Sequence, residues 1–174
     1  MANESAIILP IPEVEPIVGP LRLKYDHAAQ LGVPAHITLL YPFCPPHMLP
    51  GQIDALRDVC ASIEAFPFSF TELRRFPATA YLYPDSSEAF VQITRTLVKR
   101  WPDYKPYGGS ISDIVPHLTV ADRVDVETLN AVEGLLRRHL PIRCVAKEVW
   151  LLASDDQGMW ARRALFPLAS GKTA

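Results

Sequence analysis

A chain of 174 residues can build one sizeable core, or two small lobes that share one. Its 49% hydrophobic and 21% charged residues are ordinary for a globular domain, and a net charge of −2 provides no basic field for holding long nucleic acid by its phosphates. A small phosphorylated ligand stays open, because a pocket needs only local donors. Cys44, Cys60 and Cys144 are scattered and odd in number, which argues against a disulfide framework and suits a reducing compartment. The opening run MANESAIILPIP lacks a basic region and is broken by Pro10. Neither a signal peptide nor a membrane span is expected, and a cytoplasmic location is.

The 17 prolines separate the predicted elements. Residues 5–11, SAIILPI, read as a short buried strand. A helix is expected over 13–31, with Ile17, Leu21, Tyr25 and Ala28 near helical spacing, Pro16 and Pro20 weakening its first half, and Gly32 just past its end. His36 to Tyr41 is a strand, and Ile53, Leu56, Cys60 and Ile63 mark an amphipathic helix. Segments 66–76 and 78–84 follow as a strand pair, expected to form a hairpin. Asp85 with Glu88 resembles a capping box ahead of the helical face Phe90, Ile93, Leu97 and Trp101. A loop over 102–116 carries Tyr104, Tyr107, Gly108 and Gly109 and leads to the strand HLTVA (117–121). Asp125 suits the N-cap of a helix with Val126, Leu129, Val132 and Leu136 on its buried face, and Val124 with Leu129 suits a hydrophobic staple. Strands over about 142–153 and 159–167, joined by SDDQG, close the chain.

The two halves share one order: strand, helix, strand, helix, strand. VPAHITLL (33–40) and IVPHLTVA (114–121) fall at the same place in each. This is an internal duplication with a period of about 80 residues, too long for a solenoid and suited to two pseudo-symmetric lobes. The expected fold is α+β: duplicated βαβαβ halves related by a pseudo-two-fold, with antiparallel-rich sheets lining a central cleft and helices outside. With no linker between them, residues 1–174 are read as one bilobal domain.

Side chains alternate along a strand, so residues two apart share a face. His36 and Thr38 therefore point one way while Ile37, Leu39 and Tyr41 point the other. His117 and Thr119 repeat the arrangement, with Leu118 and Val120 behind. A single H-x-T is weak, since both residue types are tolerated on half-exposed strands; two copies in matching places are much harder to dismiss. Two imidazoles across a cleft suit phosphodiester cleavage, one neutral to take a proton and one charged to give it to the leaving oxygen. The threonine hydroxyls are short, stiff donors for non-bridging phosphate oxygens. No metal and no cofactor are required.

HITL (36–39) and HLTV (117–120) together resemble the twin H-x-[ST]-x signature of the two-histidine phosphoesterase superfamily. Its members include bacterial 2′-5′ RNA ligase-like proteins and RNA 2′,3′-cyclic phosphodiesterases. The motif spacing, the chain length and the Pro42-Phe43 pair after the first motif are similar to the bacterial ligase-like branch, and the resemblance covers nearly the whole chain. It implies His36 and His117 as the acid–base pair, in roles the sequence does not apportion, and Thr38 and Thr119 as phosphate-binding hydroxyls. The implied reaction opens a 2′,3′-cyclic phosphate to a 2′-phosphate, or acts on a 2′-5′ linkage, in a nucleotide or RNA end. Another small cyclic nucleotide or an ADP-ribose cyclic phosphate is the alternative substrate, and a non-catalytic RNA-end or nucleotide-binding module the alternative class. A monomer without membrane attachment is expected.

Other candidates carry less. Tyr104 and Tyr107 could stack on a base, or be ordinary loop tyrosines. Tyr81 and Tyr83 lie on a strand that could border the cleft, although alternate aromatics on a strand are more often core. Among the basic doublets at 74–75, 137–138 and 162–163, Arg162 or Arg163 on the last strand is the candidate to face a phosphate, and Arg163 is chosen. Cys44 and His47 have metal-ligand spacing but too few partners. His27 and His139 are expected at the surface or satisfied within their helices.

Overall fold

The computed structural model describes residues 3–110 and 113–170. The first strand, β1 (Ser5–Pro10), is buried along its whole length. Ile7 and Leu9 face the main core, while Ala6 and Ile8 face a smaller apolar cluster on the other side. The helix expected over 13–31 is interrupted. A 3₁₀ turn at Pro12–Val14 leads into α1 (Glu15–Tyr25), which ends where Asp26 becomes extended (φ −129°, ψ 110°). The Asp26 carboxylate then accepts from Ala28 N and opens a separate short helix, α2 (His27–Gln30). An aspartate that bonds the backbone locally competes with helix continuation, which is why the single periodic pattern breaks there.

The remaining elements follow in order: β2 (His36–Leu40), α3 (Ile53–Ala61), β3 (Phe66–Phe76), β4 (Thr79–Pro84), α4 (Ser87–Arg100), β5 (Leu118–Asp122), α5 (Val126–Leu136), β6 (Ile142–Ala146), β7 (Glu148–Ser154) and β8 (Trp160–Pro167). β3 and β4 form the expected hairpin. Asp125 caps α5 by accepting from Thr128 N at 2.7 Å. Asp85 does not cap α4; it bonds Ser69 N, and Ser86 takes the cap position. The strand expected over 142–153 divides at Lys147, whose carbonyl accepts from Leu168 N, so that β6 and β7 enter different sheets.

Two four-stranded sheets result, ordered β2-β1-β7-β8 and β5-β4-β3-β6, with every pairing antiparallel. The orders superimpose under a pseudo-two-fold that relates β2 to β5, β1 to β4 and β7 to β3. The first half therefore lends β3 to the second half's sheet, and the second half lends β7 and β8 to the first half's. Helices cross as well, with α1 packed on β5 and α4 on β2. One apolar cluster joins Ile37 and Leu151 of the first sheet, Phe70 and Leu118 of the second, and Leu56, Phe90 and Leu129 of the helices. The architecture is α+β and bilobal, as the duplicated sequence implies. No helix among the described residues is long and apolar enough to cross a membrane.

The link from α2 to β2 is pinned at Gly32, which has φ +94° and lies so close to β8 that a Cβ there would meet the Trp160 carbonyl at 3.0 Å. Trp160 N donates to Leu31 O at 2.8 Å in the same seam. A left-handed backbone and a close approach together demand glycine. Gly32→Ala is expected to cost about 1–3 kcal/mol, from placing a side chain in that backbone region, as read from urea unfolding midpoints. A variant as stable as the wild type would mean that the seam yields without strain.

Candidate active site

Each motif strand carries the same irregularity. In β2, Thr38 pairs with Ile8 but Leu40 pairs with Ile7, so one strand advances two residues against one and Leu39 is extra. In β5, Thr119 pairs with Tyr81 and Ala121 with Ala80, making Val120 the extra residue. Such a bulge shifts the alternation of faces downstream. Leu39 and Leu40 are both buried, as are Val120 and Ala121. Tyr41 and Asp122, at equivalent places in the two repeats, are consequently turned into the cleft. Simple alternation had put Tyr41 behind, with Ile37 and Leu39; the bulge corrects this. Asp122 was not anticipated at all.

His36, Thr38, His117 and Thr119 line one cleft of about 530 Å³, together with Tyr41, Phe76, Thr79, Tyr107, Asp122 and Arg123. The two motif strands lie against each other at its base. Both imidazoles are half-buried and anchored in the same way: His36 Nδ1 contacts the Pro34 carbonyl at 2.7 Å, and His117 Nδ1 contacts the Val115 carbonyl at 2.7 Å. A carbonyl can only accept, so in both rings Nδ1 carries hydrogen and Nε2 of the neutral form is a free base. His36 Nε2 lies 3.1 Å from Thr38 Oγ1, which then donates to it.

The surroundings of the two rings differ. His117 is packed by Phe76 at 5.2 Å and Tyr81 at 5.3 Å, and these two aromatics stack on each other at 4.4 Å. His36 instead lies near a buried ion pair. Arg22 of α1 is 2% exposed, bonds Asp26 through Nε and Nη2 at 3.0 and 2.8 Å, and donates to the Val33 carbonyl. Burial, with the Arg22 charge and more weakly His117, pushes the His36 imidazole down to about 3 despite its bond to Pro34. Burial also lowers His117, while its bond to Val115 and the Asp122 carboxylate oppose the shift. Asp122 is itself oriented by Thr79 Oγ1 at 2.6 Å and lies 3.6 Å from the Arg123 guanidinium.

The secondary candidates separate. Tyr107 reaches the cleft beside Thr38, on a turn where it and Gly108 adopt left-handed backbone (φ 52° and 64°) and its N–H donates to Tyr41 O. Tyr83 lies outside the cleft lining, its ring covered by the Arg74 guanidinium at 3.5 Å. Arg163 is exposed on β8 and also lies outside that lining; its neighbour Arg162 stacks on Trp150 at 4.4 Å. The cause is again a register shift, between Leu151 and Leu152 opposite β8, which pairs Arg162 with Leu152. Cys44 is buried and His47 exposed, so they do not converge. Among the described residues no cluster of three or more His, Cys, Asp or Glu is placed to hold a metal ion. Arg123, with φ 56° directly after β5, joins the cleft unforeseen, and no sequence signal marks an arginine for that backbone.

A sequence-family model described as the 2′-5′ RNA ligase superfamily matches residues 10–158. The fold is similar to the crystal structure of E. coli LigT complexed with NADP⁺, with TM-score 0.62 and 15% identity over 97% of this chain and 99% of that one. It is also similar to E. coli LigT complexed with 3′-AMP, with TM-score 0.61 and 15% identity over the same shares. TT0787 of Thermus thermophilus gives TM-score 0.60 and 16% identity over 98% of this chain and 100% of that one. No curated protein sequence matches the chain.

The state of His36 has a consequence for stability. Above the ordinary histidine value of 6.5 the ring is neutral whether the chain is folded or not, and stability does not depend on it. Below 6.5 the unfolded chain takes up the proton first, so stability declines until the folded ring also protonates, near 3. His36→Gln is expected to lose less urea resistance than the wild type between pH 6.5 and pH 4. Parallel declines in the two proteins would show that burial does not hold this ring neutral.

Proposed function

Because the chain belongs to the 2′-5′ RNA ligase superfamily, we propose that it is a metal-independent phosphoesterase that opens 2′,3′-cyclic phosphates to 2′-phosphates, or cleaves 2′-5′ linkages, in nucleotides or RNA ends. The observation that carries this reading is the paired anchoring of His36 and His117. In each ring a backbone carbonyl holds Nδ1–H and leaves Nε2 for the shared cleft. E. coli LigT, whose fold is similar, has been captured with 3′-AMP and with ATP, which supports a nucleotide as the ligand class.

In this mechanism His36, held neutral by burial and the Arg22 charge, is the general base. Its Nε2 takes a proton from water as the water oxygen attacks phosphorus. His117, whose charged form is favoured by Asp122, is the acid. It gives its Nε2 proton to the departing 3′ oxygen as the P–O bond breaks, and the phosphate remains on the 2′ oxygen. The anionic phosphate itself favours imidazolium at His117 once bound. Thr38 gives up its contact with His36 and, with Thr119, donates to the non-bridging oxygens, where charge grows in the transition state. The reverse reaction exchanges the roles of the two rings.

With 2′,3′-cyclic nucleotides, His36→Ala and His117→Ala are each expected to lower kcat by about 10²–10⁴-fold. Wild-type turnover should persist in EDTA, and its loss there would overturn the metal-free mechanism. The pH profile of kcat/KM should be bell-shaped and displaced to the acid side. Its acid limb lies near the His36 value of about 3, and its alkaline limb, set by His117, lies below 6.5. An alkaline limb above the ordinary histidine value would assign the acid to another group.

A further inference from the structure

The pseudo-two-fold is broken beside the two histidines. Ile8 of β1 and Tyr81 of β4 occupy matching places, opposite Thr38 and Thr119. Tyr81 is buried, and with Phe76 it fills its side of the cleft against the His117 ring. Ile8 is smaller, and beside it lies an open pocket of about 380 Å³, joined to the cleft through His36, Thr38 and Tyr41. Its floor is Ala6, Ile8, Val33 and Leu152, a cluster separate from the main core. Trp160 and Tyr41 form one wall, with their rings edge-on at 6.2 Å.

The polar groups of this pocket are unequal. Asp26 is occupied by Arg22 and Ala28 N, and Asp122 by Thr79 and Arg123. Glu4 differs: its Oε2 accepts from Tyr41 Oη at 2.9 Å, while its Oε1 accepts no bond among the described residues. Burial and the Glu4 contact push the Tyr41 hydroxyl up to about 12, so it stays a donor that steadies the carboxylate. An apolar floor with aromatic walls suits a flat ring, and a spare carboxylate oxygen at the rim suits a ring that carries an N–H donor.

We propose that this pocket receives the base of the substrate nucleotide, and that Glu4 selects a base with an exocyclic amine over one with a carbonyl in its place. The inference rests on the reading of the cleft as a phosphoesterase site and adds its orientation: the base lies in the pocket beside His36, while the departing 3′ oxygen of the same ribose points toward His117. An amine donates to Glu4; a carbonyl oxygen there meets a carboxylate with no proton between them, a mismatch that a polar site discriminates strongly. Trp160 supplies ring contact that is indifferent to the substituent.

Adenosine and inosine 2′,3′-cyclic phosphates differ at this group and at N1, which carries hydrogen only in inosine. Purine riboside 2′,3′-cyclic phosphate, which lacks the amine and keeps N1 as an acceptor, separates the two and should also be disfavoured by the wild type. The wild type is expected to favour the adenosine substrate at least about tenfold in kcat/KM, equal to about 1.4 kcal/mol. Glu4→Gln, which can donate as well as accept, should bring the ratio close to one, and Trp160→Ala should raise KM for both substrates and preserve the ratio. Equal wild-type rates, or a preference that survives Glu4→Gln, would overturn the inference. Calorimetric binding of 2′-AMP and 2′-IMP separates it from the catalytic reading. Glu4-dependent preference for 2′-AMP without turnover of either cyclic substrate would sink the phosphoesterase and keep the pocket; turnover with no preference in either assay would do the reverse.

Discussion

The centre of this molecule depends on two edge strands that meet without pairing. β2 and β5 each end a four-stranded sheet, and they touch along the pseudo-two-fold while belonging to separate sheets. An open strand edge ordinarily invites another chain. Here each edge is guarded by the other lobe, with α4 against β2, α1 against β5, and Tyr107 N–H on the Tyr41 carbonyl. The same contact brings two H-x-T pairs into one cleft. Exchange of β3 for β7 and β8 ties the lobes together, so the geometry between the motifs is set by the sheets and not by a linker.

Burial then makes the paired imidazoles chemically unlike. Both rings are anchored through Nδ1 to a carbonyl two residues back, but Arg22 lies near one and Asp122 near the other. A positive charge disfavours a second positive charge, and a carboxylate favours it. A sequence duplication that would otherwise give two equal groups thus gives two rings of unlike surroundings, which the proposed base and acid roles use. Arg22 is the more unusual device, since a buried guanidinium is tolerated only when fully paired, as it is by Asp26 and the Val33 carbonyl.

Divergence between the lobes shows in packing as well. Tyr81 and Phe76 immobilise His117, whereas the matching Ile8 leaves space beside His36. One lobe has filled this volume with aromatic packing, and the other leaves it open. Gly32 belongs to the second arrangement, because the close approach it permits brings the start of β8, and with it Trp160, to the pocket wall.

Much of this was legible in the residues themselves. The duplicated H-x-T strands, the capped helix at Asp125 and the β3–β4 hairpin follow from local pattern, since alternation, capping and turn chemistry act over a few residues. The break at Asp26 and the division at Lys147 were not legible, because periodicity continues across both; the Asp26 carboxylate, held by Arg22 and Ala28 N, ends the first, and pairing of β6 and β7 in different sheets ends the second. Tyr41 and Asp122 entered the cleft through bulges, which depend on register against a partner strand that no local pattern specifies. Arg163 falls outside the cleft lining beside a register shift between β7 and β8, for the same reason. By itself, then, the sequence pointed to most of the elements, to the repeat, and to one histidine and one threonine in each motif strand. Only the tertiary structure decided which charges lie beside which histidine and which lobe stays open, because those depend on groups brought together from both halves of the chain.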